Sequence, residues 1–234
     1  LIVLLVSYPR SGNTFFRHVF ECIYGYPTFT QYPEVSFGGI LHSNAQWHGN
    51  TVLPLTLIKT HAYFDTLYKQ SSSIRTVPVI YIVRDGRDAI VSHAQFQKKL
   101  GKPLAYAQLD ISVLLRKLII GELRDTNNLA WHWSRHVIRW FNQLKNAPSS
   151  IVHFEQLIKT PEETVKRAIR EIGYENWNAS LSGRILSFQE LKEKFPTFFT
   201  SGQVGRYREE MSPTLQRLFW IYHEPGMIRA GYTQ

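Results

Sequence analysis

The opening of the chain constrains its fold more than any other stretch. Leu1-Ile2-Val3-Leu4-Leu5-Val6 is continuously apolar and partly β-branched, the pattern of a strand buried on both faces. It runs into the polar, turn-forming segment Ser7-Tyr8-Pro9-Arg10-Ser11-Gly12-Asn13-Thr14, after which Phe15-Phe16-Arg17-His18-Val19-Phe20 reads as helix. Strand, polar loop and helix in that order open an α/β unit. Further strands are predicted at Leu55–Thr60, Val77–Val83 and Ser150–Phe154, and helices over Asp88–Lys99, about 128–144 and Pro161–Ile172. Asp85 is placed to cap the first of these helices, and Pro161 to occupy a first turn. The expected fold is therefore a single α/β domain over 1–234. It has a mostly parallel sheet of about five strands, helices on both faces, and a P-loop-like phosphate-binding loop after the first strand. Residues 28–54 and 196–213, rich in Gly, Pro, Ser and aromatics, read as long loops of the kind that bind ligands. The sequence starts inside the first strand without Met, so a preceding segment, with any targeting signal it carries, is expected.

With 234 residues, 44% of them apolar and 19% charged, the chain is globular in composition, which excludes a largely disordered protein. Its single cysteine, Cys22, excludes a disulfide framework and a cysteine-rich zinc site, and favours a reducing, cytoplasmic setting. No apolar run approaches the roughly 20 residues that span a bilayer, so no membrane span is expected. The formal charge of +9 suits an anionic ligand, a nucleic acid or a membrane surface. Because the basic residues are dispersed and form no dense stripe, nucleic acid is not the expected partner.

The loop after the first strand brings backbone N–H groups and the positive end of a helix dipole to one point, where phosphate is favoured. Gly12 permits close approach, Ser11 and Thr14 offer hydroxyls, and Arg10 a fixed cation. An ordinary strand-to-helix turn capped by Ser11 or Asn13 is the alternative. The pattern is not a Walker A loop, which needs Gly-Lys-Ser/Thr at its end. Leu55-Thr56-Leu57-Ile58-Lys59-Thr60-His61 is an apolar strand ending in a basic pair. Strand alternation puts Lys59 and His61 on one face and Thr60 on the other, at the edge where open α/β sheets bind ligands. A histidine there can take a proton from an attacking hydroxyl, and a lysine can stabilise charge on a transferring group. A third strand, Val79–Val83, leads into Arg84-Asp85-Gly86-Arg87-Asp88-Ala89-Ile90-Val91-Ser92, where Arg84 and Ser92 could clamp a second phosphate. Arg84 paired with Asp85 or Asp88 on the surface is the alternative.

These segments resemble, in order, the motifs of sulfotransferases that use PAPS (3′-phosphoadenosine 5′-phosphosulfate). Tyr8–Phe15 resembles their 5′-phosphosulfate loop, Tyr-Pro-Lys-Ser-Gly-Thr-Thr-Trp, with Arg10 for Lys and Phe15 for the Trp that stacks on adenine. Lys59-Thr60-His61 resembles the motif that carries the catalytic base, which implies His61 rather than His18, His42, His48 or His93. Arg84 to Ser92 is similar to the 3′-phosphate pattern Arg-x-Pro-x-Asp-x-x-x-Ser, with Gly86 in place of Pro, a change expected to loosen the turn. Trp133, His136, Val137 and Trp140 repeat a family spacing; on their own they read as the apolar stripe of a helix. Phe154 stands where a Tyr helps hold adenine, and Phe188 resembles a second adenine-stacking aromatic. Gly202-Gln203-Val204-Gly205-Arg206-Tyr207-Arg208 resembles Gly-x-x-Gly-x-Trp-Lys, whose amides serve the 3′-phosphate. The Arg and Lys that precede the first glycine in the family are Thr200 and Ser201 here, and Arg206 or Arg208 is a candidate substitute.

The resemblance implies sulfonate transfer from PAPS to a hydroxyl, or less readily an amine, of a small molecule or glycan, with no metal required. His61, Lys59 and Arg10 are the implied catalytic residues. Arg10, Ser11, Gly12, Asn13, Thr14, Phe15, Arg84, Ser92, Phe188, Gly202 and Gly205 are the implied donor-binding residues. Residues 28–54 and 100–127, with Tyr32, Phe37 and Trp47, are expected to line the acceptor pocket. The family's dimer segment, Lys-x-x-x-Thr-Val-x-x-x-Glu, is not matched by Arg208–Arg217, where Pro213 and Arg217 interrupt it, so that dimer is not expected. A nucleotide kinase and a non-catalytic nucleotide or nucleic-acid binder are the rival readings.

Overall fold

The computed structural model describes residues 2–30, 55–101, 104–123, 132–174, 183–196, 199 and 202–234. Tyr32, Phe37, Trp47, His42, His48, Thr200 and Ser201, and part of the expected acceptor-lining segments, lie outside the described residues. The chain clusters into two compact units, each drawn from three stretches of sequence. One comprises 1–7, 12–82 and 139–185, the other 8–11, 83–138 and 186–234.

The first unit holds a five-stranded sheet in the order β2-β3-β1-β4-β5, made of β1 (Ile2–Ser7), β2 (Thr28–Thr30), β3 (Thr56–Thr60), β4 (Val79–Val83) and β5 (Ser149–His153). β1 pairs in parallel with β3, Val6 opposite Thr60, and with β4, Val6 opposite Tyr81. Val3 to Ser7 are all buried, which is why β1 reads as an unbroken apolar run. Helix α1 (Asn13–Tyr24) buries Phe16, Val19, Phe20 and Ile23. It packs on β1 and on α8 (Pro161–Glu171), which offers Val165, Ala168 and Ile169 and carries Pro161 in its first turn. Between them come α2 (Phe64–Gln70) and α7 (Phe154–Lys159). β4 starts at Val79 and not at Val77: Pro78 has no amide, and only its carbonyl takes part, accepting from the Leu4 N–H at 2.9 Å.

The connections leaving β1 and β4 run to opposite edges of the sheet, β1 toward β2 and β4 toward β5. Ligands bind in open α/β sheets outside the strand ends at such a reversal.

The second unit is helical: α3 (Gly86–Leu100), α4 (Leu104–Ala107), α5 (Ile111–Ile120), α9 (Phe188–Lys194), α10 (Tyr207–Glu210) and α11 (Pro213–Arg229). The remaining helix, α6 (Trp133–Gln143), begins here and ends in the first unit. Asp85 caps α3 as expected, accepting from the Arg87 N–H at 2.9 Å, and also holds the Arg87 guanidinium in a buried ion pair at 2.7 Å. At Gly86, where looseness is expected, a Cβ would lie 2.7 Å from both Phe219 and Trp133, so the backbone is packed directly against those rings. Pro213 sits in the first turn of α11, where no intrahelical bond needs its missing N–H. Among the described residues no helix is long and apolar enough to cross a membrane.

Candidate active site

The loop between β1 and α1 is built on two left-handed residues, Arg10 (φ 68°) and Gly12 (φ 103°). Gly12 is the N-cap of α1, with no side-chain cap, so neither Ser11 nor Asn13 makes the ordinary cap that sequence allows. The first-turn amides of α1 therefore face outward from a helix start whose dipole favours an anion. A Cβ on Gly12 would come within 2.5 Å of the Phe154 ring, so the loop backbone rests directly on that buried side chain. Ser11 is fully buried, and its Oγ has no hydrogen-bond partner among the described residues. A buried hydroxyl without a partner is costly unless a ligand completes it. Thr14 is exposed at the start of the helix, and Phe15 is buried in it.

His61 follows β3. Its Nδ1 lies 2.7 Å from the carbonyl oxygen of Ser7 and 3.4 Å from the Ser7 hydroxyl. A carbonyl can only accept, so Nδ1 carries the hydrogen and the ring's lone pair is at Nε2. Ser7 is itself tied to Asn13, whose Nδ2 donates to the Ser7 Oγ at 3.0 Å and toward the Leu5 carbonyl at 3.5 Å. Lys59 is half-buried on β3, opposite Leu5 of β1 on one side and Thr30 of β2 on the other. Thr60 points the other way, buried, and its Oγ1 accepts the Ala62 N–H at 3.1 Å.

In the second unit Arg84 is buried. Its Nη1 donates to the Arg10 carbonyl at 3.2 Å and its Nη2 to the Gln203 carbonyl at 3.0 Å. Arg84 is buried and not on the surface. Asp85 is taken by Arg87, and Asp88 accepts the N–H groups of Gly205 at 2.6 Å and Tyr207 at 2.9 Å. Asp88 thus pins the glycine segment, and the Gly205 amide is directed at that carboxylate. The aspartate in the Arg84–Ser92 spacing was visible in the sequence, but its role was not. Ser92 Oγ accepts from Arg10 Nε at 3.4 Å, and the Arg10 guanidinium lies 4.6 Å above the Phe96 ring. Burial, and then the charge of Arg84, lower the Arg10 pKa to about 10. Phe188 opens α9 edge-on to Phe199, and Gly202 is pressed against its ring.

The chain is 23% identical to sulfotransferase 1A1 of Rattus norvegicus over 231 residues, 92% of this chain and 75% of that protein. It is 23% identical to sulfotransferase 1A1 of Mus musculus over 260 residues, 99% of this chain and 86% of that one. Among solved structures it resembles mouse sulfotransferase SULT7A1 complexed with PAP, with a TM-score of 0.71 and 22% identity over 97% of this chain and 83% of that one. It also resembles retinol dehydratase in complex with androsterone and inactive cofactor PAP, with a TM-score of 0.64 and 14% identity over 97% and 80%. The structural likenesses establish the fold. The sequence pattern of the sulfotransferase domain matches residues 2–227, and the chain belongs to that family.

Proposed function

We propose that this protein transfers the sulfonate of PAPS to a hydroxyl, or less readily an amine, of a small molecule or glycan, with His61 as general base. The observation that carries the reading is the Nδ1 hydrogen bond of His61 to the Ser7 carbonyl. It sets the tautomer whose Nε2 can accept a proton, at the end of the strand beside the loop-bearing β1. The acceptor oxygen attacks sulfur in line, its proton passes to Nε2, the S–O bond to the 5′-phosphate breaks, and 3′,5′-adenosine bisphosphate leaves. Lys59 and the amides at the start of α1 neutralise the charge on the sulfonate and the leaving oxygen.

Each unit offers groups that suit such a donor. In the first, the start of α1 has no side-chain cap on its first amides; in the second, the Ser11 hydroxyl lacks a partner among the described residues, Arg84 holds the Arg10 carbonyl, and Arg10 reaches Ser92. The dispersed excess of positive charge is then matched to a polyanionic donor. A cytoplasmic setting belongs to this reading and rests on the lone Cys22.

The test is to incubate the protein with sulfur-labelled PAPS and a panel of phenols, alcohols, amines and oligosaccharides. Transfer of label to at least one acceptor class, lost in His61→Ala, is expected. Release of bisphosphate at parental rate by His61→Ala would place the base elsewhere.

A further inference from the structure

We propose that Arg10 binds the donor's 3′-phosphate, together with Ser92 and Arg84, and so supplies the positive charge that Thr200 and Ser201 do not. This rests on the PAPS reading above, in which Arg84 and Ser92 hold that phosphate. It differs from the role that the loop's sequence suggests for Arg10, contact with the group being transferred.

The backbone decides where the side chain goes. A non-glycine residue at φ 68° sits in the left-handed region, which is costly for an L side chain and persists only where the surroundings hold it. Here the hold is visible: the carbonyl of Arg10 accepts from Arg84 Nη1 at 3.2 Å. From that conformation the Arg10 side chain reaches α3, with Nε toward Ser92 Oγ and the guanidinium plane over Phe96. Ser92 and Phe96 are one helical turn apart and present one face, so the helix offers Arg10 both a hydroxyl and a ring to lie on. Arg84 then ties the same place to the glycine segment through the Gln203 carbonyl. A buried guanidinium, Arg84, and a half-buried one, Arg10, are brought together there, an arrangement of like charges that a doubly charged anion stabilises.

The alternative substitutes are engaged in other ways. Arg206 forms an ion pair with Glu210 on its own helix turn. Arg208 is exposed and lies 5.0 Å from the centre of the Tyr207 ring. Arg10, by contrast, reaches Ser92 with its side chain.

Calorimetric titration of 3′,5′-adenosine bisphosphate, 3′-AMP and 5′-AMP into the parent, Arg10→Asn and Arg10→Lys separates the possibilities. Asn tolerates the left-handed backbone, so that variant keeps the loop while removing the guanidinium. Arg10→Asn is expected to weaken the bisphosphate and 3′-AMP by about ten- to a hundred-fold, the loss of a charge-assisted contact, and to leave 5′-AMP within about twofold. Arg10→Lys keeps the charge without the planar fork, so a smaller loss with the same nucleotide pattern is expected. Weakened 5′-AMP binding with 3′-AMP unchanged would put Arg10 at the sulfonate end and overturn the proposal. Equal losses on all three nucleotides, or none, would overturn it as well. A parent protein that binds none of the three fails the PAPS reading itself, a separate outcome from any change between variants.

Discussion

His61 is fastened to Ser7 across the junction of two parallel strands. The register sets Val6 of β1 opposite Thr60 of β3, so the next residues along, Ser7 and His61, meet as the strands end, with Nδ1 2.7 Å from the carbonyl. The main chain of one strand therefore chooses the tautomer and orientation of a ring carried by the next.

If that ring is the base, His61→Ala should lower turnover by about 10²- to 10⁴-fold and leave bisphosphate affinity nearly unchanged. Turnover of the parent should fall as acid protonates the imidazole, a limb absent from the residual activity of His61→Ala. Lys59→Ala should lower turnover but keep the limb, because the limb belongs to the imidazole, which that variant retains. Steady-state rates against pH for the three proteins check this; an unchanged acid limb in His61→Ala assigns it to another group.

Gly12 is constrained twice, by φ 103° and by Phe154. Gly12→Ala should destabilise the fold by about 2–4 kcal/mol, left-handed strain plus overpacking. In a chain of this length that is a fall in melting temperature of roughly 4–16 °C. Adding Phe154→Leu should recover the packing part and not the backbone part. A Gly12→Ala protein that melts with the parent would mean the loop can move off the ring.

The Thr60 hydroxyl has a structural duty that strand alternation alone does not reveal. Thr60→Val keeps the shape but deprives the Ala62 N–H of its acceptor, and should cost about 1–3 kcal/mol by chemical denaturation. Thr60→Ser should restore most of it. Turnover at saturating substrate should stay near parental in both, and a large fall in Thr60→Ser would indicate that the hydroxyl serves the chemistry.

Acid sensitivity should come from two buried imidazoles. Burial, and then the charge of Arg10, push His93 down to about 3; burial, and then His132, push His223 to about 3. Free imidazole titrates near 6.5, so between those values the unfolded chain binds more protons than the native one. Stability is thus full above about pH 6.5 and is lost progressively as pH falls toward 3. His93→Gln with His223→Gln should flatten the fall in melting temperature between pH 7 and pH 4.5. An equally steep fall in the double variant would assign it to other groups.

What the sequence revealed and what it hid divide along physical lines. β1, β4 and β5 were legible because strands buried in a parallel sheet carry unbroken or alternating apolar residues with clear breakers around them. Asp85 and Pro161 marked their helix starts by the chemistry of the first turn. β2 was lost inside an expected loop because three residues, Thr28–Thr30, carry too little pattern. α11 was missed for another reason. It contains Pro225, and it exposes Ile221 and Ile228 while burying His223, so neither periodicity nor polarity marks its faces. At the site, the order of motifs placed Lys59, His61, Arg84 and Ser92 on the right elements. It could not show that Asp88 holds two amides of the glycine segment, or that a left-handed Arg10 turns its side chain toward Ser92. Those facts depend on pairings between residues about 80 or more positions apart.

The parallel pairing of β1 also sets a timetable. Ile2 lies beside Thr56, and Leu4 beside Val79, so the first strand meets one of its two neighbours only when β3 has been synthesised and the other only when β4 has. At ribosomal rates of about 5–20 residues per second that is a wait on the order of seconds, during which an apolar strand stays unpaired. Closure of such long loops is also the slow part of folding parallel sheets. The phosphate loop that follows β1 is made before the strands that fix its β1 end, and can take its final shape only after them.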